Sequence, residues 1–180
     1  MPPLVLTLIC IIVCGLLVIA HDAAVKDNTG VLTDDMKKGC TEIFGQGDYE
    51  ILTRKKDGDL EPVTFGEKHV NAIIVDKQNS TCLIEMTCDG YAKDGLHLLV
   101  GIGADGKIEG LYFLSIGETP GLGAKVAQKD YTDKFRGLGV EADIEEVDTL
   151  TAATYSSKGL KKACEEALDI YTVHKREIFS

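Results

Sequence analysis

Five short apolar segments between residues 49 and 115 are the strongest constraint on how this chain can fold. They are YEILT (49–53), HVNAIIVD (69–76), CLIEMTC (82–88), LHLLVGIG (96–103) and KIEGLYFLS (107–115). Residues typical of tight reversals lie between them, at Asp57-Gly58, Gln78-Asn79-Ser80, Asp94-Gly95 and Asp105-Gly106. Because strands joined by short hairpin turns pair antiparallel, the sequence predicts an antiparallel sheet.

Two amphipathic helices are predicted to pack with this sheet. Apolar residues recur at helical spacing from Thr33, a suitable N-cap, to Phe44, and Gly45 and Gly47 follow. A longer apolar stripe comprises Leu160, Ala163, Cys164, Ala167, Ile170 and Tyr171. We expect Ser156 or Ser157 to cap this second helix. The predicted fold class is therefore α+β, an antiparallel sheet packed with helices.

The first 20 residues form an apolar segment without a single charge. As a helix, residues 4–20 would span about 25 Å, slightly less than a hydrocarbon core. A cleaved secretory signal and a retained transmembrane helix both fit this length. The missing basic residue before the apolar run favours the retained helix. We predict an anchor over residues 1–21, a linker over 22–32 and one folded domain over 33–180.

The rest of the chain is acidic, since all 19 Lys and Arg and all 29 Asp and Glu follow Ala20 and give a net charge of −10. Such a domain is repelled by phosphate backbones, which excludes nucleic-acid binding. The cysteines show no CxxC spacing and form no ligand cluster with the histidines, so no metal site is predicted. Cys82 and Cys88 lie on one face of a strand and are interpreted as buried thiols.

One glycine-rich segment imitates a dinucleotide-binding motif. Residues 101–106 match GxGxxG, but that motif requires a strand that passes directly into a helix. Here Asp105-Gly106 leads into another apolar strand-like segment. A glycine-containing hairpin turn is the better interpretation.

Two other segments indicate a binding site. GETPGLG (117–123) follows the last strand, and its small residues would let backbone amides approach a ligand. DTLTAATYSS (148–157) leads into the long helix and places four hydroxyl groups where free amides would attract a phosphate. Thr154 would lie at the mouth of this site. The alternatives are a plain surface loop for the first segment and simple helix capping for the second.

Together these two motifs resemble the FMN-binding domain found in the G subunit of the Rnf electron-transport complex and in its relative, the C subunit of the sodium-translocating NADH:quinone reductase. The second motif fits the family pattern Asp-x-x-(Ser/Thr)-(Gly/Ala)-Ala-Thr-x-(Ser/Thr). The similarity extends over residues 90–123 and is weakest between residues 21 and 80. The single N-terminal anchor agrees with it.

The resemblance implies that FMN is joined through its phosphate to the hydroxyl of Thr154. A separate flavin transferase that uses FAD and magnesium would make this bond, reading Asp148, Thr151, Ala152, Ala153 and Thr154. Ala152 stands where many relatives have Gly. The residues implied to surround the cofactor are Glu118, Thr119, Pro120, Gly121, Leu122, Gly123, Thr151, Ala152, Ala153, Thr154, Tyr155, Ser156 and Ser157.

The implied function is that of a membrane-anchored electron carrier without a substrate site of its own. Its soluble domain would lie on the outer side of a bacterial cell membrane, among the other subunits of the complex. That complex couples ferredoxin oxidation and NAD reduction to pumping of sodium ions or protons. The equivalent subunit of the quinone reductase, another flavin-carrying membrane reductase and an anchored interaction domain without cofactor are the alternatives. The short chain favours the Rnf subunit.

Overall fold

The computed structural model describes residues 2–27, 31–56 and 59–180, and from residue 31 onward it shows an antiparallel sheet with a helix on each face. The strands are β1 (Glu50–Ile51), β2 (Thr53–Lys56), β3 (Asp59–Pro62), β4 (Val70–Asp76), β5 (Thr81–Cys88), β6 (Leu96–Ile102) and β7 (Ile108–Ile116). The helices are α1 (Pro2–Asp27), α2 (Asp34–Phe44), α3 (Lys129–Thr132) and α4 (Thr154–Ile178). The predicted α+β class and antiparallel sheet are confirmed.

The main sheet has the strand order β1-β4-β5-β6-β7, and every neighbouring pair is antiparallel. Its three central strands are buried on both faces, which explains their nearly continuous apolar sequences. One face packs against α4 and forms the larger core, while the other packs against α2 through Met36 and Cys40. The sheet is therefore the middle of three layers.

Helix α2 begins and ends as the sequence predicts. The Thr33 side chain accepts a hydrogen bond from the Met36 amide, and Gly45 follows the helix with φ of 86°. The helix lies close to β6 and β7 because Gly101 and Gly110 leave room for Ile43. A Cβ atom at Gly101 would lie 2.7 Å from the Ile43 Cγ2 atom, so this glycine serves packing.

The segment 49–53, predicted as one strand, is divided between two sheets. Glu50 and Ile51 pair with β4, whereas Thr53 begins β2, which pairs only with β3. The sequence did not reveal this small hairpin, because TRKK and DLEP contain little apolar alternation. Its predicted turn, Asp57-Gly58, lies outside the described residues.

The GxGxxG match begins at the end of β6 and continues into the turn before β7, which is a hairpin turn, as expected. The Gly103 amide donates to the Lys107 carbonyl, the Gly106 amide donates to the Gly103 carbonyl, and Gly106 has φ of 80°. Side chains of α4 complete the turn. The Tyr171 hydroxyl donates to the Gly103 carbonyl at 3.1 Å, and Lys175 Nζ donates to the Ala104 carbonyl at 3.1 Å.

The two strand cysteines are buried free thiols on the α4 face of the sheet, as predicted. Burial raises the pKa of both the Cys82 and the Cys88 thiol to about 12. These thiols are therefore neutral core side chains at physiological pH.

At the N-terminus, α1 continues through the first part of the predicted linker to Asp27, and residues 28–30 lie outside the described residues. Over the residues that the structure describes, no helix combines the length and the apolar content needed to cross a membrane. The predicted domain boundaries remain predictions.

Candidate functional site

A pocket of about 330 Å³ lies where the two sequence-predicted segments meet at the start of α4. Its size falls within the range of small-molecule sites, roughly 300–1,000 Å³. Its lining comprises Tyr91, Glu118, Thr119, Leu122, Gly123, Ala152, Ala153, Thr154, Tyr155 and Ser156. Nine of these ten residues were predicted from the sequence, and Tyr91 is the addition.

The first segment, residues 117–123, forms a tight loop after β7. The Leu122 amide donates to the Thr119 carbonyl at 3.1 Å, and Gly121 takes a left-handed φ of 77° that favours glycine. Pro120 and Gly121 are exposed at the tip and do not line the pocket. The loop thus presents Thr119, Leu122 and Gly123 to the pocket.

The second segment bends sharply just before α4. Ala152 has φ of 63°, the left-handed region that L-residues with a Cβ atom rarely adopt. This conformation explains why a glycine is acceptable at the same position in the family pattern. The bend directs the chain into α4, which begins at Thr154.

Our prediction that Ser156 or Ser157 caps α4 is wrong. The N-cap is Ala153, and no side chain forms the capping hydrogen bond. Both serines are buried inside the first turn, where their hydroxyls bind other segments. Ser157 Oγ accepts from the Leu150 amide at 3.1 Å, and Ser156 Oγ donates to a Glu118 oxygen at 2.6 Å.

The start of α4 therefore keeps the electrostatic character of an open helix terminus. The first amides of an α-helix have no intrahelical acceptor, and the first intrahelical bond here runs from the Ser157 amide to the Ala153 carbonyl. With no capping side chain at Ala153, amides of the first turn are left for a ligand. An anionic group at this end is favoured by both the N–H groups and the helix dipole.

Two threonine hydroxyls remain available near this terminus. Thr154 and Thr151 are exposed, but only Thr154 lines the pocket. Asp148 lies at the surface, where one of its oxygens is 3.5 Å from Lys134 Nζ. Of the four hydroxyls that we predicted to crowd an anion site, those of Ser156 and Ser157 are buried, and of the two that belong to exposed residues only that of Thr154 is at the pocket.

Glu118 forms the floor of the pocket and is only 5% exposed. Its Oε1 atom accepts from the Ala92 amide at 3.0 Å, and its Oε2 atom accepts from Ser156. These bonds join the loop after β5, the loop after β7 and the start of α4. Glu118 thus connects the three segments that surround the pocket.

Part of the pocket wall is aromatic and apolar. Tyr91 is 76% exposed and Tyr155 is 67% exposed, and their rings meet edge to face with centroids 6.2 Å apart. Leu122 is also exposed beside them. Three large apolar side chains around one pocket form a surface that suits a flat, apolar ligand. A lone tyrosine in a turn gave no sequence signal for this role.

Comparison with known proteins agrees with this site. The family model described as the FMN-binding domain matches residues 90–169, which include all the pocket residues. The G subunit of an ion-translocating oxidoreductase complex from Methanosarcina acetivorans is 30% identical over 145 residues, which are 76% of this chain and 74% of that protein.

Other relatives carry related names. The G subunit of the ion-translocating oxidoreductase complex from Shewanella oneidensis is 35% identical over 104 residues, covering 51% of this chain and 49% of its own. The G subunit of the Na(+)-translocating ferredoxin:NAD(+) oxidoreductase complex from Acetobacterium woodii is 31% identical over 93 residues, which cover 46% of this chain and 44% of that protein. The chain spans about half the length of these two curated relatives.

Among solved structures, the C subunit of the Na(+)-translocating NADH-quinone reductase from Parabacteroides distasonis matches with a TM-score of 0.43 and 21% identity. The match covers 78% of this chain and 66% of that one. The family resemblance on which the sequence interpretation rests is confirmed by the relatives and the domain match. The chain belongs to the family of G subunits of ion-translocating oxidoreductase complexes, and its residues 90–169 match the FMN-binding domain.

Proposed function

We propose that this chain is the covalent FMN carrier of a membrane-bound, ion-translocating ferredoxin:NAD oxidoreductase complex, with FMN joined through its phosphate to the Thr154 hydroxyl. One observation carries this proposal. The exposed hydroxyl of Thr154 lies at the uncapped start of α4, in the pocket where the two family segments meet. A phosphoester at this atom would place the phosphate beside the free amides of the helix.

The residues of the pocket fit FMN in charge and shape. The helix terminus suits the phosphate, and the wall of Tyr91, Leu122 and Tyr155 suits a flat ring. When bound, FMN would supply the electron-accepting and electron-donating centre that the chain's own side chains lack. The bond to Thr154 would keep the cofactor on this chain through repeated electron transfer.

We further propose that residues 4–20 anchor the domain in a bacterial cell membrane, with the domain on the outer side. The supporting observation is the absence of any charge in the first 20 residues. Other subunits of the complex would then be the electron-transfer partners, and a flavin transferase would be needed for maturation. The pumped ion would be sodium or the proton, moved by the complex rather than by this chain.

The decisive experiment is intact-mass analysis with peptide mapping after co-expression with the transferase, supplied with FAD and magnesium. We expect wild-type protein to gain the mass of one FMN less one water, located on the peptide that contains Thr154. Thr154→Ala should abolish the addition completely. The matched control is Thr149→Ala, which removes another exposed threonine hydroxyl at a position that the family pattern leaves free.

Two results would contradict the proposal. A wild-type mass equal to the bare polypeptide would favour an interaction domain without cofactor. Flavin that persists in Thr154→Ala would reject Thr154 as the attachment site. The same peptide map shows whether residues 1–21 are retained, because peptides from this range are detected only if the segment has not been cleaved.

A further inference from the structure

The carboxylate of Glu118 is a buried charge at the floor of the pocket that the attachment of FMN does not require. Gly90, Gly95 and Gly123 surround it, and a Cβ atom at any of these glycines would collide with its oxygens. Two separate loops, the one between β5 and β6 and the one after β7, therefore have glycines where side chains would collide with this one group. Such close packing indicates that its position is tightly specified.

No positive side chain neutralises this carboxylate. Within the part of the chain that the structure describes, Glu118 forms no ion pair with Lys, Arg or His. Its two oxygens instead accept from the Ala92 amide and the Ser156 hydroxyl, which are both able to donate. Acceptance at both oxygens is the hydrogen-bonding role of a carboxylate, and the start of α4 places the positive end of the helix dipole beside it.

The charge therefore shares the helix terminus with whatever anion occupies the pocket. A buried negative charge at the floor of the pocket opposes the addition of further negative charge in the pocket more strongly than a charge in bulk solvent would. Reduction of a flavin adds electrons to the ring, and the ring would lie against the same pocket walls. The same charge also weakens the attraction between the helix terminus and a free phosphate.

We propose that Glu118 is a positioning residue whose buried negative charge lowers the reduction potential of the flavin and prevents tight noncovalent binding of FMN. This inference rests on the proposed function, since it requires FMN in this pocket. It assigns Glu118 a role through charge and loop position rather than as a direct ligand. It also explains why a covalent bond is useful at a helix terminus that would otherwise hold phosphate unaided.

The test is Glu118→Gln in the flavinylated full chain. Glutamine has nearly the same shape and can still accept from the Ala92 amide and donate to Ser156 Oγ, so the change removes mainly the charge. We expect the midpoint potential of the bound flavin to shift to more positive values at full flavin loading. The control is Glu141→Gln, the same chemical change at an exposed carboxylate outside the pocket, which should leave the potential unchanged.

A second measurement uses free FMN as the probe. The full chain carrying Thr154→Ala cannot form the covalent bond to FMN. The double variant with Glu118→Gln as well should bind free FMN several-fold more tightly than this single variant. A purely structural role for Glu118 would weaken this binding instead. Equal or weaker binding in the double variant would overturn the inference.

The outcomes separate the two proposals. A wild-type chain without flavin rejects the proposed function, whereas a fully loaded Glu118→Gln protein with the potential of the Glu141→Gln control rejects only the role of Glu118. If Glu118→Gln does not fold, the flavin potential of Ser156→Ala tests the role of Glu118 instead. It keeps the charge but removes a compensating donor, so the potential should shift to more negative values, and an unchanged or more positive potential would overturn the inference.

Discussion

The two glycine-rich segments that flank β7 have similar compositions but opposite relations to α4. At residues 101–106, the far part of the helix closes the turn, because Tyr171 and Lys175 donate to its carbonyls. At residues 117–123, the beginning of the helix leaves a pocket open, because Ala153 provides no capping side chain. The same helix therefore satisfies the backbone carbonyls of the first segment and leaves free amides beside the second.

This difference shows that glycine content alone does not make a binding loop. Glycine permits tight turns and close approach in both segments. What distinguishes them is whether neighbouring side chains satisfy the exposed backbone groups. A turn with completed hydrogen bonds is structural, whereas a turn beside free helix amides can receive a ligand.

The largest expected effect is a loss of folding stability at alkaline pH, which should unfold both segments together. Burial raises the pKa of the Cys82 thiol from its usual value near 9 to about 12. Below pH 9 the thiol is protonated in both the folded and the unfolded chain, so its contribution to stability is complete. Between pH 9 and 12 the unfolded chain loses this proton first, and stability should fall by about 2–3 kcal/mol for this thiol by pH 11.

Urea unfolding at pH 8 to 11 measures this loss. The free energy of unfolding of Cys82→Ala should fall less steeply with pH than that of wild type, because one buried thiol with a raised pKa has been removed. An identical decline in both proteins would show that Cys82 does not titrate as its burial implies. Signals from the turn at 101–106 and from the pocket at the start of α4 should disappear together in this transition.

A smaller effect should separate the segments. Gly106 and Gly121 both have left-handed φ angles, 80° and 77°, and Gly→Ala at either position should cost roughly 1–2 kcal/mol. A Cβ atom at Gly106 would only touch the Tyr171 ring at 3.4 Å, and one at Gly121 would meet nothing within 4 Å. Thermal unfolding should therefore report similar losses.

Flavin loading should differ between these two variants. We expect Gly121→Ala to reduce loading or alter the flavin spectrum, because its loop borders the pocket. Gly106→Ala should load like wild type. Equal defects in loading would mean that the two segments are not functionally distinct.

The smallest expected effect is on the closed turn alone. Tyr171→Phe removes the hydroxyl that donates to the Gly103 carbonyl and should lower the free energy of unfolding by about 1 kcal/mol. The flavin spectrum and potential should stay at wild-type values, as measured on the loaded protein. A changed potential would show that this end of α4 is coupled to the pocket.

Local sequence signals predicted most of the fold, because the relevant interactions are short in sequence. The cap at Thr33, the apolar strands and the hairpin at Asp105-Gly106 depend on neighbouring residues. The hairpin of β2 and β3 was missed because its strands are polar and pair outside the main sheet. Nothing in the periodicity of Thr53–Lys56 distinguishes a strand from a loop.

The site was predictable as two motifs but not as a set of contacts. Ser156 was interpreted as a cap, whereas its hydroxyl donates to Glu118, 38 positions earlier in the chain. Tyr91 reaches the pocket only because the loop after β5 folds beside α4. Contacts over such separations depend on strand order and helix placement, which no local pattern specifies.

The left-handed backbone at Ala152 has a consequence for maturation. A flexible acceptor peptide would lose conformational entropy each time an enzyme captured it, and this cost would weaken recognition. Here the bend before Thr154 is already fixed by the fold, with Ser157 Oγ holding the Leu150 amide behind it. A transferase acting on Thr154 would therefore read a rigid shape, and unfolded copies of the chain would be poor substrates.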